Sequence, residues 1–314
     1  MQRHGPNELI DMNARGAAIA LGNFDGVHLG HQAVIASARG VAEARGVALG
    51  ASVFEPHPRR LFQPEAPAYR LQSDEQRARA LAALGVAHLY EIGFDRALSQ
   101  ATDEDFARRI LAERLGVVHV SVGTDFRFGR ARMGDAESLK RLGAGLGFSV
   151  ETVPPIVDET REGDGAKISS SAIREAIAEG MMVKAAALLG RPWAIEGVVQ
   201  RGFARGRRLG FATANVALGD YVQPCLGIYA VRVRIEGAAH DGVASVGVNP
   251  TVGVLPKPLL EAHIFDFDAD LYGQTIEVEL IAFLRDEAKF ENAEILARQI
   301  AEDAAAAKAL LLGL

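Results

Sequence analysis

Short apolar runs alternate with longer helix-compatible segments along the first part of the chain. The runs are of strand length, and they occupy residues 17–21, 48–54, 88–94, 117–123 and 148–154. Helical patterns lie between them, at residues 31–45, 73–84, 102–115 and 135–142. This alternation predicts βαβ units, and therefore a parallel sheet with helices on both faces. Two closing helices are expected at residues 169–180 and 182–190.

The pattern changes after Pro192. Apolar and polar residues there alternate in part with a period of two, which is typical of half-buried strands. These runs occupy residues 194–200, 228–235, 242–248, 261–267 and 275–283. The Gly-rich connections between them predict an antiparallel barrel or sandwich. Residues 286–314 predict one long amphipathic helix, with Phe290, Ala293, Leu296 and Ile300 spaced along one face. We therefore predict two domains, an α/β domain over residues 1–186 and a mainly β domain over residues 187–314.

Composition narrows the class of protein. The 314 residues are enough for two domains, and the formal net charge of −6 argues against a general nucleic-acid binder. The N-terminal residues lack the apolar region of a signal peptide, and no stretch approaches the length of a membrane span. We therefore expect a soluble, cytoplasmic protein. Cys225 is the single cysteine, so it cannot form an internal disulfide, and we expect a buried free thiol.

The first candidate site is the sequence GNFDGVHLGHQ, directly after the first strand. His28 and His31 lie there at a strand-to-helix turn, where open α/β sheets bind ligands. Free backbone N–H groups at the start of the helix favour an anion. Gly22, Gly26 and Gly30 would let a triphosphate approach closely. A metal-ligand pair or a core histidine pair in a tight turn explains these residues equally well when they are taken alone.

Two later segments carry residues suited to the same ligand. The sequence GTDFRFG, residues 123–129, follows another predicted strand. The sequence KISSSAIR, residues 167–174, begins a helix with three consecutive serines, of which one is explained as an N-cap. The other two serines, together with Lys167 and Arg174, exceed what a cap requires and suit phosphate binding.

A basic, glycine-rich segment in the second half, residues 201–210, runs into Thr213 and Asn215. A solvated loop or a nucleic-acid contact would explain the arginines. Neither explains two neutral, oxygen-bearing residues spaced two apart. In a strand that spacing places both side chains on one face, where hydroxyl and amide oxygens can hold Mg²⁺.

An acidic segment further on resembles a calcium-binding loop. Asp266, Asp268, Asp270 and Glu277 match positions 1, 3, 5 and 12 of an EF-hand loop. Leu271 occupies the sixth position, where the turn requires glycine, and the flanking sequences predict strands rather than helices. We therefore predict that this segment does not bind calcium.

Together these motifs resemble the prokaryotic bifunctional riboflavin kinase/FAD synthetase family. The likeness rests on GNFDGVHLGHQ, FEPHPRRLF, GTDFRFGR and KISSSAIREAI in the first half, and on GFARGRRLGFATANV and LEAHIFDFDADLYG in the second. The motifs occur in this order over nearly the whole chain. GNFDGVHLGHQ and KISSSAIREAI also look like the HIGH and KMSKS pair of the nucleotidyltransferase superfamily. Two positions depart from the family pattern, since Ser171 replaces a threonine and Ala212 replaces a proline.

For the first half, the resemblance implies a Rossmann-like nucleotidyltransferase domain with FMN adenylyltransferase activity. The FMN phosphate would attack the α-phosphorus of ATP and give FAD and pyrophosphate, and a phosphate dianion needs no general base. His28 and His31 are then catalytic residues at the ATP phosphates, and Ser170, Ser171 and Arg174 support the leaving group. The implied ATP-binding residues are Gly22, Asn23, Phe24, Asp25, Gly26, His28, Gly30, His31, Lys167, Ser170, Ser171 and Arg174. The implied flavin-side residues are His57, Asp125, Phe126, Arg127 and Phe128, although a rigid turn between two prolines explains His57 equally well.

For the second half, the resemblance implies a riboflavin kinase built as a six-stranded antiparallel β-barrel with a terminal helix. Glu261 is the implied catalytic base at the flavin, because the 5′-hydroxyl of riboflavin must lose a proton as it attacks the γ-phosphoryl group. Thr213 and Asn215 are the implied metal ligands. The implied ATP-binding residues of this half are Gly206, Arg207, Gly210 and Thr213.

The leading hypothesis is a transferase that converts riboflavin to FMN and FMN to FAD, with ATP as co-substrate and Mg²⁺ at both sites. Its partners would be riboflavin, FMN and ATP, without nucleic acid or membrane, and it would be a monomer or a weak homo-oligomer. One alternative is another adenylyl acceptor, such as a phosphopantetheine or nicotinamide mononucleotide, against which the kinase half argues. A second alternative is a non-catalytic flavin- or nucleotide-binding regulator. The intact set of His28, His31, Thr213, Asn215 and Glu261 argues against it.

Overall fold

The computed structural model describes residues 1–6, 8–158, 165–201, 211–248 and 258–313. Packing divides them into two compact units. Unit 1 comprises Met1–Ala66 and Asp74–Ser169, and unit 2 comprises Pro67–Ser73 and Ser170–Leu314. Among the helices of the described residues, none combines the length and the apolar character needed to cross a membrane.

Unit 1 is built on a six-stranded parallel sheet. Its strands are β1 (Gln2–His4), β2 (Ala18–Leu21), β3 (Leu49–Glu55), β4 (His88–Gly93), β5 (His119–Gly123) and β8 (Ser149–Val153). They lie in the order β1-β4-β3-β2-β5-β8. From β2 the chain adds β3 and β4 on one side, and it then returns to add β5 and β8 on the other side, so the order of strand addition reverses between β2 and β5. Such a switch point is where doubly wound folds bind nucleotides. The predicted parallel, Rossmann-like sheet is confirmed.

Short antiparallel ribbons and helices complete unit 1. The ribbons are β6 (Arg127–Phe128) with β7 (Gly134–Asp135), and β9 (Val157–Asp158) with β10 (Ala166–Lys167). The helices are α1 (Leu29–Arg45), α2 (Pro58–Phe62), α3 (Asp74–Ala83), α4 (Arg96–Ser99), α5 (Asp103–Asp105), the π-helical α6 (Phe106–Arg114) and α7 (Ala136–Leu146).

Successive residues of β2 belong to two separate cores, one on each face of the sheet. Ile19 packs in a cluster that includes Leu111 of α6, whereas Ala20 packs in a cluster that includes Ile35 of α1. All four of these residues are completely buried. The helices therefore cover both faces, as the uninterrupted apolar strands predict.

Unit 2 is a six-stranded antiparallel barrel with helices. Its strands are β11 (Trp193–Val198), β12 (Ala214–Ala217), β13 (Gly227–Ile235), β14 (Ala238–Val248), β15 (Pro258–Ile264) and β16 (Thr275–Asp286), in the order β11-β16-β13-β14-β15-β12. The two ends of this order meet where the backbone N–H of Gln200 donates to the carbonyl of Asn215 at 2.9 Å. The predicted six-stranded barrel is confirmed, and the sandwich alternative is not.

The helices of unit 2 are α8 (Ser170–Ala178), α9 (Met182–Leu189) and α10 (Ala293–Leu311). Buried Ala307 and Leu311 of α10 pack against the barrel residues Ala230 and Val243. The helix begins later than the sequence pattern predicts, because the side chain of Asn292 caps it by accepting the N–H of Ile295. The predicted residues 286–292 are therefore not helical.

Residues 67–73 precede the barrel by more than a hundred positions yet pack with unit 2. The indole N–H of Trp193 donates to the carbonyl of Leu71 at 2.8 Å, and the hydroxyl of Ser73 donates to Glu196 at 2.7 Å. Packing thus places the division of the chain at Ser169 and Ser170. The boundary between the two activities, expected at residue 187, need not coincide with this division by packing and stays a prediction.

Candidate active sites

The turn after β2 carries the two histidines of the first candidate site. His28 is the N-cap of α1, and its Nδ1 atom accepts the backbone N–H of His31 at 3.3 Å. The two rings stack with their centroids 3.6 Å apart. His28 is buried and His31 is half-buried. Both imidazoles thus lie at the N-terminus of α1, where the backbone already favours an anion.

The backbone of the same turn is strained. Phe24 and Val27 have φ values of 49° and 42°, in the left-handed region that a β-branched residue such as Val27 rarely adopts. Such residues cost about 1–3 kcal/mol each, and they persist where the surrounding structure requires them. Here the turn brings the buried ring of Phe24 edge-on to His31, with the centroids 5.3 Å apart. The strained turn thus carries a phenylalanine that packs against one of the two histidines.

Gly30 brings two distant motifs together. A Cβ atom at this position would lie 3.2 Å from the His28 ring and 3.5 Å from the carbonyl oxygen of Ile168. Ile168 belongs to the KISSS sequence, so its start lies against the histidine turn within unit 1. The pairing of these two motifs, expected from the sequence, is present in the packing.

Lys167 and Asp125 form an ion pair at the carboxyl end of the sheet. Asp125 follows β5, and Lys167 lies in β10. The hydrogen bond from Lys167 holds the pKa of the Asp125 carboxyl below its usual value. The side chains remain about half exposed or more, so both charges are accessible to a ligand.

A row of phenylalanine rings extends from α2 to the loop after β5. Neighbouring centroids lie 5.6–5.9 Å apart along the row Phe62, Phe94, Phe54, Phe106, Phe128 and Phe126. Phe94 also lines a cavity of about 630 Å³ at the carboxyl ends of β3 and β4, beside Pro56 and Ile92. Phe62, at one end of the row, has 64% of its surface exposed. Phe54, Phe62, Phe94 and Phe106 were not predicted as site residues, although Phe54 and Phe62 bound the motif FEPHPRRLF.

Two predicted flavin-side residues make local contacts. His57 caps α2, because its Nδ1 atom accepts the backbone N–H of Arg59 at 3.2 Å. Arg127 is exposed and pairs with Asp135 at 3.2 Å. These contacts account for both side chains within the fold, so a flavin role for either is a prediction and not an observation.

The second part of the KISSS motif belongs to unit 2. Ser170 and Ser171 form the first turn of α8, and the Nε atom of Arg174 donates to the carbonyl of Tyr69 at 2.6 Å. The Arg174 guanidinium also lies over the Tyr69 ring, 5.6 Å from its centroid. Arg174 therefore secures the segment 67–73.

The second candidate site lies on the outer face of the barrel. Asn215 of β12 and Glu261 of β15 are direct cross-strand partners, and Ser245 of β14 follows Glu261 in the same row. Alternate positions such as Ala262 are completely buried and face the interior. Asn215 itself is only 5% exposed, and its amide Nδ2 donates to the carbonyl of Thr213 at 3.5 Å. The sequence-predicted residues are thus brought together.

A cavity of about 340 Å³ lies beside β12 and β15. Its lining includes Thr213 and Asn215 with the interior-facing Ala262 and Ile264 on one side, and the acidic segment from Phe267 to Tyr272 on the other. Glu261 is not among the described residues that line it. That segment connects β15 to β16, so its flanks are strands as predicted. The predicted residues Gly206, Arg207 and Gly210 lie outside the described residues.

Family models match both halves of the chain. The model described as FAD synthetase matches residues 10–172, and the model described as riboflavin kinase matches residues 189–311. A bifunctional riboflavin kinase/FMN adenylyltransferase from Pseudomonas fluorescens is 42% identical over 296 residues, which cover 94% of this chain and 93% of the relative. The chain belongs to the bifunctional riboflavin kinase/FMN adenylyltransferase family. It is a transferase that phosphorylates riboflavin to FMN and adenylylates FMN to FAD, with ATP as co-substrate.

Other relatives agree over a similar length. The enzyme of the same description from Escherichia coli K12 is 37% identical over 300 residues, covering 95% of this chain and 94% of the relative. A crystal structure described as a macrolide-efflux protein from Streptococcus pneumoniae is 32% identical, with a TM-score of 0.82 and 92% of each chain covered. This likeness supports the same fold in the two chains.

Proposed function

We propose that riboflavin is phosphorylated on the outer face of the barrel, at Thr213, Asn215 and Glu261. The observation that carries the proposal is the direct pairing of Asn215 with Glu261 in neighbouring antiparallel strands. Side chains of such partners stand about 5 Å apart at Cβ. A metal-bound phosphate held by one side chain can therefore meet a hydroxyl held by the other.

The donor set on this face fits Mg²⁺. The hydroxyl of Thr213 and the amide oxygen of Asn215 are hard, neutral oxygen donors, and Mg²⁺ typically takes one or two protein ligands beside substrate phosphates. Because the Asn215 Nδ2 atom donates to the Thr213 carbonyl, its Oδ1 atom faces away from that carbonyl. Bound Mg²⁺ would neutralise charge on the ATP phosphates at this point.

Glu261 is the proposed general base of the kinase reaction. Its carboxylate accepts the proton of the riboflavin 5′-hydroxyl as that oxygen bonds to the γ-phosphorus of ATP. The bond between the γ-phosphorus and its bridging oxygen breaks, and ADP leaves. Half-buried Glu261 stands in the middle of a polar row between Asn215 and Ser245, which suits a proton acceptor beside the phosphate site.

FMN adenylylation is proposed at the histidine turn of unit 1. A phosphate oxygen of FMN bonds to the α-phosphorus of ATP, and pyrophosphate leaves without general-base help. His28 and His31 would stabilise the phosphoryl charge together with the helix N-terminus, and Lys167 would add a positive charge. Ser170, Ser171 and Arg174 are proposed to support the leaving group.

The flavin of this second reaction is proposed to lie at the open end of the phenylalanine row, against Phe62 and Phe94, because Phe106 and Phe128 are buried in the core. An isoalloxazine ring needs a broad apolar wall, and aromatic rings supply it through offset stacking or edge contacts. The cavity of about 630 Å³ beside Phe94 falls within the size range of small-molecule sites. Asp125 and the Phe126–Phe128 pair border the same end of the sheet.

Thr213→Val tests the assignment of the kinase site. Valine keeps the shape of threonine but removes the hydroxyl, so FMN formation from riboflavin should fall strongly while FAD formation from supplied FMN continues. Both half-reactions are followed by chromatography of the flavins. Unchanged FMN formation would exclude the Thr213 hydroxyl from the site.

The cytoplasmic location of the protein and its monomeric or weakly associated state remain predictions.

A further inference from the structure

His263 stands beside the proposed metal ligands of the kinase half. Asn215 faces Glu261 and Ala214 faces Ala262 in the pairing of β12 with β15, so the next position along this register places His263 across from Thr213. His263 and Glu261 are two residues apart in one strand and therefore share its outer face.

The ring of His263 binds the backbone that leads into Thr213. Its Nδ1 atom lies 2.9 Å from the carbonyl oxygen of Ala212. A carbonyl can only accept a hydrogen bond, so Nδ1 must carry the proton, in either the neutral or the charged imidazole. Phe211 and Phe265 hold the ring edge-on, with centroids at 5.2 Å and 6.0 Å.

Two consecutive peptide carbonyls are thus held by side chains of the same face. His263 binds the carbonyl of Ala212, and Asn215 binds that of Thr213. Position 212 lacks a proline ring to restrict its backbone, so side-chain contacts must supply that restriction. Ala212 and Thr213, which carry the two carbonyls, and Asn215, which carries the amide, all line the cavity of about 340 Å³.

We propose that His263 is a positioning residue of the kinase half, whose Nδ1–H binds the Ala212 carbonyl and thereby places Thr213 and Asn215 for Mg²⁺ and the ATP phosphates. The proposal rests on the proposed ligand role of Thr213 and Asn215. It assigns no proton transfer to His263, because the Nδ1–H donor is present in both protonation states.

Asparagine and glutamine provide a matched pair of variants. The amide nitrogen of asparagine reaches the place of Nδ1, whereas that of glutamine reaches the place of Nε2. His263→Asn should keep MgADP affinity near wild type, and His263→Gln and His263→Ala should weaken it by roughly 2- to 12-fold, the range that one net hydrogen bond supports. Calorimetry of MgADP binding is done on the full chain carrying His28→Ala and His31→Ala, so that the other nucleotide site does not contribute.

Three further measurements separate positioning from other roles. His263→Gln should raise the Mg²⁺ concentration for half-maximal FMN formation, while kcat at saturating Mg²⁺, the KM for riboflavin and the pH profile stay as in wild type. ADP binding without Mg²⁺ should be the same in all variants. A shifted pH profile, or equal losses in His263→Asn and His263→Gln, would overturn the proposal.

Thr213→Val distinguishes failure of this inference from failure of the ligand assignment. If Thr213→Val leaves MgADP affinity unchanged, the ligand assignment is wrong and the inference falls with it. If Thr213→Val weakens the affinity while His263→Gln binds like wild type, the positioning role alone is wrong. Thermal unfolding verifies that each variant is folded, and the polar Asn and Gln pair decides the question if His263→Ala does not fold.

Discussion

The Nδ1 atom of His28 accepts the backbone N–H of His31, while the two rings stack 3.6 Å apart. A nitrogen that accepts a hydrogen bond carries no proton in neutral imidazole, so the proton of His28 lies on Nε2. The turn therefore holds His28 in the tautomer whose second nitrogen is a donor. A phosphate oxygen requires such a donor.

Replacing both histidines should abolish FAD formation and leave FMN formation intact. In His28→Ala/His31→Ala the α-phosphoryl group loses its side-chain donors, and the loss of one such donor typically costs about 10²- to 10³-fold in rate. Chromatography of the flavins formed from riboflavin, ATP and Mg²⁺ should show accumulated FMN. Equal loss of both products in a folded variant would contradict separate sites.

Gly30→Ala should lower FAD synthesis, and Gly40→Ala should not. The added Cβ at Gly30 lies only 3.2 Å from the His28 ring, so the ring must shift, whereas Gly40, in the same helix, has nothing within 4 Å. Alanine in an exposed helix position stabilises by up to about 1 kcal/mol, so Gly40→Ala should raise Tm slightly. The measurement is FAD formation from FMN together with thermal unfolding. Equal activity of the two variants would show that FAD synthesis does not depend on the close packing at Gly30.

Local pattern predicted most of the strands but not every element. The five apolar runs of the first half correspond to β2, β3, β4, β5 and β8, because each is a short buried segment. The strand β1 escaped prediction, since Gln2–His4 has no apolar run and is defined by its pairing with β4. The start of α10 was predicted too early because hydrophobic spacing does not reveal the cap at Asn292.

The candidate sites show the same limit. Spacing placed Thr213 and Asn215 on one strand face, and resemblance supplied Glu261. Neither revealed His263, since its contact with Ala212 depends on the register between β12 and β15. The sequence predicted Phe126 and Phe128 but not the row they belong to, because its other members, Phe54, Phe62, Phe94 and Phe106, come from three other segments of the chain.

The acidic segment between β15 and β16 should not bind calcium at micromolar concentration. Asp266 lies 3.8 Å from the Lys308 ammonium, and the Asp270 carboxylate accepts the N–H of Tyr272. A calcium loop would need these carboxylates to converge on one ion. Isothermal titration of the full chain with Ca²⁺ tests this. A tight, saturable site that disappears in Asp268→Ala would show the prediction to be wrong.

A chain of five hydrogen bonds crosses the seam between α1, β5 and β8, with buried His119 and Ser121 at its centre and exposed residues at its ends. It links Arg45, Ser149, His119, Ser121, Ser37 and Glu151 in that order. The Glu151 carboxylate can only accept, so Ser37 donates to it, Ser121 donates to Ser37, and the Nε2 atom of His119 carries a proton. The Nδ1 atom accepts from Ser149 when His119 is neutral and donates to it when the ring is charged, so all five bonds can form in either state. Burial of His119 lowers its pKa and so favours the neutral ring.

Unit 1 should lose stability as the pH falls below about 6.5. Burial, with a contribution from the charge of Arg45, lowers the pKa of His119 below its ordinary value, so the unfolded chain binds the proton more readily. The stability that neutral His119 contributes is fully present above the pKa of histidine in the unfolded chain, and it is lost as the pH falls below that value. His119→Gln should flatten the dependence between pH 7.5 and 5.5, by urea unfolding followed by circular dichroism. Trp193, the single tryptophan, reports on unit 2 as an internal control, and an unchanged slope would exclude His119.

Glu261→Gln should abolish riboflavin phosphorylation and spare FAD synthesis from supplied FMN. Glutamine keeps the size of the side chain next to Asn215 but cannot accept the hydroxyl proton, and loss of a general base typically costs about 10²- to 10⁴-fold in rate. FMN arrives at the other site with its phosphate already ionised, so no base is needed there. The two half-reactions are measured separately on one folded preparation, with Glu236→Gln removing an exposed carboxylate of the same barrel as control. Kinase turnover near the control value would remove Glu261 as the base, and parallel loss of both reactions would show that the two activities depend on each other.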